Sequence, residues 1–219
     1  MSIMDSTTPA PERGEPIPVN RFALFSETLL AGLFVLVLSI PLVTIPAAYA
    51  AGIAHLERHL SGRDDSIRGL WGTFRSALPG SWRLGITTAA AAVVIVLNLQ
   101  LATVGQLPGS SVVLPATLIL AGAGAVLLLR TTAAWSNFSG VNKDAGRVGA
   151  AANTPSAAWS SAFNAGKALS LRDWTGSLLL VAAIFGAVVF VWMLVALFVV
   201  VPGTLILAAA AVKIRSARA

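Results

Sequence analysis

Three stretches of this chain run without an acidic or basic side chain for longer than one membrane crossing needs. After Glu27 none appears until His55, after Arg83 none until Arg130, and after Asp173 none until Lys213. A helix covers the hydrocarbon core of a bilayer with ~20 apolar residues. The second stretch is too long for one crossing and is punctuated by Gly105-Gln106-Leu107-Pro108-Gly109-Ser110. It reads as two spans, 84–104 and 112–129, joined by a short turn. The third reads as a span over 176–200, then Pro202-Gly203 and a shorter apolar segment, 204–212, which extends toward Ile214 if Lys213 and Arg215 snorkel.

The first stretch is broken. Residues 22–40 are long enough to span, but Pro41 and Pro46 follow, with Thr44 between them. Each proline removes a backbone donor and bends the helix. Such a break persists in a membrane where other helices or water satisfy the freed carbonyls, so the segment is expected to face protein. It can cross or turn back. Ala48-Tyr49-Ala50 fits a signal-peptidase pattern, but the leader before it is long and holds Asp5, Glu12 and Glu15. Residues 1–20, with four prolines, read as a disordered polar tail, leaving 21–219 as one helical transmembrane domain.

Composition supports the bilayer as solvent. The chain is 56% hydrophobic and 11% charged, with mean hydropathy +0.81, against about 25% charged in soluble domains. Without cysteines, disulfides and thiolate chemistry are excluded. The net charge of +6 speaks for topology and anionic lipid headgroups rather than nucleic acid. Basic residues cluster in 57–83, in 130–173 and after Lys213, while the turn near Gly105 has none. The clusters are therefore placed in the cytoplasm. One crossing before Arg58 puts the N-terminus outside and gives five spans; a re-entrant turn at Pro41–Pro46 puts it inside. Trp71, Trp82, Trp135 and Trp174 lie near span ends, as an aromatic belt does.

Two cytoplasmic segments are amphipathic. Ile67, Leu70, Trp71, Phe74 and Leu78 share a helix face, with Arg68 and Arg75 off it, and Pro79-Gly80 is expected to end that helix. Asp65 or Ser66 can cap its start. Thr154-Pro155 opens a second helix with Trp159, Ala162, Phe163, Gly166 and Leu169 on one face. The expected fold is an all-α polytopic bundle of about five spans with two cytoplasmic amphipathic surface helices.

Candidate chemistry is sparse. His55 and His59 are one turn apart and could touch one metal, but Leu56 stands where a zincin motif has Glu, and no third ligand is evident. A polar membrane-surface turn is the expected setting, and no metal or cofactor is expected. Glu27 is the lone acid in a long apolar stretch, which marks it for function or for pairing with a basic neighbour. Asn98 and Gln100, two apart, cannot share a face, so one is expected to make an interhelical hydrogen bond. Gly122-Ala123-Gly124 suggests close helix packing. No acid, base and nucleophile assemble, so no enzymatic activity is expected.

The run Ser39-Ile-Pro41-Leu-Val-Thr44-Ile-Pro46-Ala-Ala-Tyr49, the Trp71-Gly-Thr-Phe74-Arg75-Ser-Ala-Leu78 helix with Trp82-Arg83, and the surface helix leading into the next span at 158–178 together resemble the YesL-like family of bacterial integral membrane proteins. Pro46 stands one position earlier than in that family's usual spacing. The resemblance covers most of 22–215. It implies a cell-membrane protein, a domain without assigned biochemical activity, and an accessory role in carbohydrate uptake or utilisation, with a sugar ABC transporter as partner. A small transporter or channel that self-associates is the alternative, motivated by the Pro41–Pro46 break.

Overall fold

The structure, a computed structural model, describes residues 21–61, 66–103, 110–139, 154–193 and 201–218. The tail at 1–20, the cap at Asp65, the turn at 105–109 and positions 194–200 of the last long span lie outside the described residues. Within them the chain is helical, with no strand: α1 (Arg21–Leu38), a 3-10 turn (Leu42–Thr44), α2 (Ile45–Leu60), α3 (Ile67–Thr103), α4 (Ser110–Phe138), α5 (Pro155–Arg172), α6 (Trp174–Met193) and α7 (Val201–Arg218). Among them α3, α4 and α6 are long and apolar enough to cross a membrane.

The first apolar stretch doubles back. Glu27, early in α1, meets His55, late in α2, at 2.7 Å, so the two helices are antiparallel. The Pro41–Pro46 run is the bend between them. Pro46 sits in the first turn of α2, where its missing N–H has no intrahelical use. The Thr44 hydroxyl reaches the Leu38 carbonyl at 2.5 Å and the Pro41 carbonyl at 2.6 Å. The one hydroxyl proton is shared between acceptors that the break releases, and the Thr44 backbone N–H also donates to the Pro41 carbonyl at 2.8 Å. The bend seats against α3: a Cβ on Gly85 would lie 1.9 Å from the Val43 carbonyl oxygen.

Helix α2 is the hub. From Pro46 to Glu57 every residue but Tyr49 is buried, and α1, α3, α4 and α7 all pack on it. Its run of alanines with Gly52 lets backbones approach on several sides, which dispersion packing in lipid rewards. A close crossing joins α1 to α7, where a Cβ on Gly32 would lie 2.6 Å from Gly203 Cα.

Two expected helix ends are not ends. The amphipathic segment does not stop at Pro79-Gly80 but runs on into the apolar span as one 37-residue helix, α3, about 55 Å long. External contacts hold this junction. The Trp159 indole N–H donates to the Ala77 carbonyl at 3.0 Å, and Gly80 admits the start of α5, since a Cβ there would meet the Pro155 carbonyl oxygen at 2.4 Å. Likewise α4 continues past Leu129 to Phe138. The hydroxyls of Thr131 and Thr132 bond back to carbonyls of the preceding turn, so polar residues fit this helical interior. The second amphipathic helix forms as expected. Ala157 N–H donates to the Thr154 side chain, and α5 lays Trp159, Ala162 and Gly166 inward along α4.

Of the tryptophans expected in an aromatic belt, Trp71, Trp82 and Trp174 are exposed. Trp135 is not part of it: it is buried and stacks on Trp159 with ring centroids 5.6 Å apart. Gly122 and Gly124 pack against no described residue either, since a Cβ at either would meet none within 4 Å. Close packing falls instead to glycines such as Gly32, Gly52, Gly80, Gly85, Gly166 and Gly203.

Candidate functional site: a buried polar layer and an adjoining groove

The charged ends of the apolar helices converge inside the protein. Glu57, near the end of α2, meets Lys213 and Ser136 in one buried cluster. Its carboxylate oxygens lie 2.8 and 3.0 Å from Lys213 Nζ of α7. Ser136 of α4 accepts from Lys213 at 2.5 Å and donates to Glu57 at 3.3 Å. Side-chain exposure is 9% for Glu57 and 11% for Lys213, so this is a desolvated pair. Lys213 therefore does not snorkel to the surface but turns inward.

A second cluster forms where α5 meets α6. Arg130, 4% exposed, donates from Nη2 to Asp173 Oδ2 at 3.2 Å, to the Asp173 carbonyl at 3.1 Å and to Ser177 at 3.3 Å. Arg215 of α7 holds Asp173 Oδ1 at 3.0 Å. The Gly176 backbone N–H and the Thr175 hydroxyl also donate to Oδ1, each at 3.0 Å. The Gly176 N–H, the Thr175 hydroxyl and the Arg130 guanidinium together hold the Asp173 carboxyl below the usual carboxylate range against the opposing effect of burial.

The third pair joins Glu27 to His55. The imidazole is fully buried, Nε2 lies 2.7 Å from Glu27 Oε1, and Nδ1 has no hydrogen-bond partner. His55 is therefore a core residue, not part of a membrane-surface turn. Among the described residues no group of three His, Asp or Glu side chains could hold a metal ion. Arg58, a turn beyond, donates to Thr73 of α3 at 3.2 Å.

Of the sequence candidates, Glu27 enters this layer, and Pro41, Thr44 and Pro46 build the bend. Phe74 is buried beneath α3, while Trp71 and Arg75 lie exposed on its outer face. Asn98 is half-buried and Gln100 exposed on the far half of α3. Sequence reasoning missed Glu57, Arg130, Ser136, Asp173 and Lys213 as a set. A signal was present: Arg130 and Lys213 are the first charges after uncharged runs. Which carboxylate each meets depends on helix pairing that no local pattern encodes.

Beside the layer, α3, α4 and α5 leave an open apolar groove of about 390 Å³, walled by Ala91, Ala92, Ile95, Gly124, Ala125 and Leu128. It runs into a second hollow of about 340 Å³ that includes Arg83, Ser156 and Ser160. Leu84, Thr87 and Phe163 line both. The charges of the layer neutralise one another and cross-link α1 to α2, α2 to α4 and α7, and α4 to α6 and α7. The groove is the feature open to a ligand or partner. In comparisons with known proteins, no family model, no curated protein and no solved structure matches this chain.

Proposed function

We propose that this chain is a multi-pass cell-membrane protein of the YesL-like kind that serves as an accessory subunit in carbohydrate uptake or utilisation, docked to a sugar ABC transporter. The motif resemblance supports the family and the partner class. The basic segments after α2, after α4 and in α7 favour a cytoplasmic polar end. The doubling back of α1 and α2 supports putting the start of α1 on that same side, as in the second of the two topologies that the Pro41–Pro46 break allows. The uncharged halves of α3 and α4, with α6 and its α7 return, then pass through the bilayer.

The observation that carries the accessory role is the outer face of the charged half of α3. Leu70, Phe74 and Ala77 turn inward and are buried, whereas Trp71 is 45% and Trp82 55% exposed, with Arg75 exposed between them. Trp and Arg on one exposed face are the residues that dominate interfaces energetically. Affinity purification of the full chain from native membranes in mild detergent should recover transporter subunits, and the paired change Trp71→Ala with Arg75→Glu should lose them. Recovery of no transporter subunit by the wild-type chain would sink the reading.

One observation favours the alternative of a small transporter or channel: the buried Glu27–His55 pair beside a broken helix, with one ring nitrogen unpartnered. Solute uptake into proteoliposomes that depends on a pH gradient and is abolished by Glu27→Gln would replace the accessory reading with this one.

A further inference from the structure

We propose that the groove between α3 and α4 is a binding site for one anionic phospholipid, with an acyl chain along the groove and the headgroup at Arg83. This depends on the chain lying in a bilayer but not on the accessory role. The argument starts from the two arginines that bound the uncharged hairpin. Arg130 is turned inward and neutralised by Asp173. Arg83 is exposed, its guanidinium 5.9 Å from the Trp82 ring centroid, and no carboxylate pairs with it among the described residues. Lys167 likewise stands 5.5 Å over the Phe163 ring, which lines both the groove and its mouth. The mouth is cationic and offers the hydroxyls of Ser156 and Ser160. The body is walled by alanine, glycine, isoleucine and leucine. A cationic mouth continuous with an apolar slot is complementary to an amphiphile bearing negative charge.

Depth and length agree with that occupant. Arg83 is the last charged residue before the uncharged run, so it stands at headgroup level when that run is in lipid. The groove follows α3 from Leu84 to Ile95, about 16 Å at 1.5 Å per residue. The slot is apolar along that whole length and suits a single extended hydrocarbon chain. A free anion would use the mouth and leave the apolar slot without a role.

The test is native mass spectrometry of the full-length protein, delipidated in detergent and offered phosphatidylglycerol and phosphatidylcholine. One phosphatidylglycerol should be retained in preference. Arg83→Gln should cut that preference about fivefold, the factor one basic residue contributes at an anionic surface. Gly124→Leu projects into the slot from a position where a Cβ meets no described residue within 4 Å, and should weaken retention of both lipids at least tenfold. Gly122→Leu, equally open but outside the groove lining, should retain lipid as wild type does. Should Gly124→Leu fail to fold, Ala91→Leu at another exposed lining position fills the same slot. The proposal is overturned if the filled variants bind as wild type, if Arg83→Gln keeps its preference, if glycerol phosphate competes as well as the whole lipid, or if a cross-linker at position 124 captures a second protein chain. A transporter pull-down that fails while lipid retention follows this pattern would remove the accessory reading alone.

Discussion

Replacing Lys213 by Met removes the positive charge from the Glu57 cluster and keeps most of the side-chain volume. At 2.8 Å and an effective dielectric constant of ~20, the gross attraction of the pair is about 6 kcal/mol. Desolvation of both groups offsets much of it in the folded protein, so the pair as a whole adds little net stability. The single substitution is different, because the Glu57 carboxylate stays behind, 9% exposed, with only the Ser136 hydroxyl, 3.3 Å away, beside it among the described residues. An uncompensated buried charge costs about 3–5 kcal/mol, and the residual exposure puts this case near 3. For a chain of this size each kcal/mol moves the melting midpoint by about 2–4 °C, so a fall of roughly 6–12 °C is expected. Tryptophan fluorescence in detergent reads it directly, because buried Trp135 precedes Ser136 in α4. The double variant Glu57→Gln/Lys213→Met should recover most of the loss, since it removes the charge and keeps a polar partner for Ser136. Lys167→Met, at an exposed lysine with no carboxylate partner among the described residues, should move the midpoint by less than about 2 °C. A Lys213→Met shift that small, or a double variant no more stable than the single, would refute the reasoning.

The Asp173 carboxyl is held below its ordinary range, so its contribution is present above the unfolded value of about 3.9 and disappears as pH falls through the lower folded value. Asp173→Asn should therefore cost about 2 kcal/mol at pH 7 and flatten the acid limb of the melting curve below about pH 4, while leaving its shape between pH 5 and 7 unchanged. Thr44→Val deletes the donor to the Leu38 and Pro41 carbonyls and should cost about 1–2 kcal/mol, with Thr44→Ser retaining most of it in the same assay. Gly32→Leu places a Cβ 2.6 Å from Gly203 Cα and should destabilise by about 3 kcal/mol or more through forced separation of α1 and α7, whereas Gly122→Leu should stay within about 0.5 kcal/mol.

The covalent pattern of this chain settles where helices can lie in lipid. Uncharged runs longer than a bilayer crossing, bounded by Arg83, Arg130, Asp173 and Lys213, require helices, because an apolar solvent leaves the backbone no other partner than itself. The α5 start at Thr154-Pro155 and the bend at Pro41–Pro46 are also local, since capping and the missing proline N–H act within a turn. Tertiary structure decided the rest. Pro79-Gly80 carries every mark of a helix end, yet the contacts of Trp159 and the start of α5 with Ala77 and Gly80 hold the helix through it. Whether the first stretch runs straight on or doubles back is a question of which residues meet, and the approach of His55 to Glu27 makes α1 and α2 an antiparallel pair. Arg130 and Lys213 look like interfacial charges in sequence and become buried ones, because only the packed helices bring Asp173, Glu57 and Ser136 within reach. Burying a charge depends on a partner from a distant segment, and the local hydrophobic pattern does not record partners across such separations.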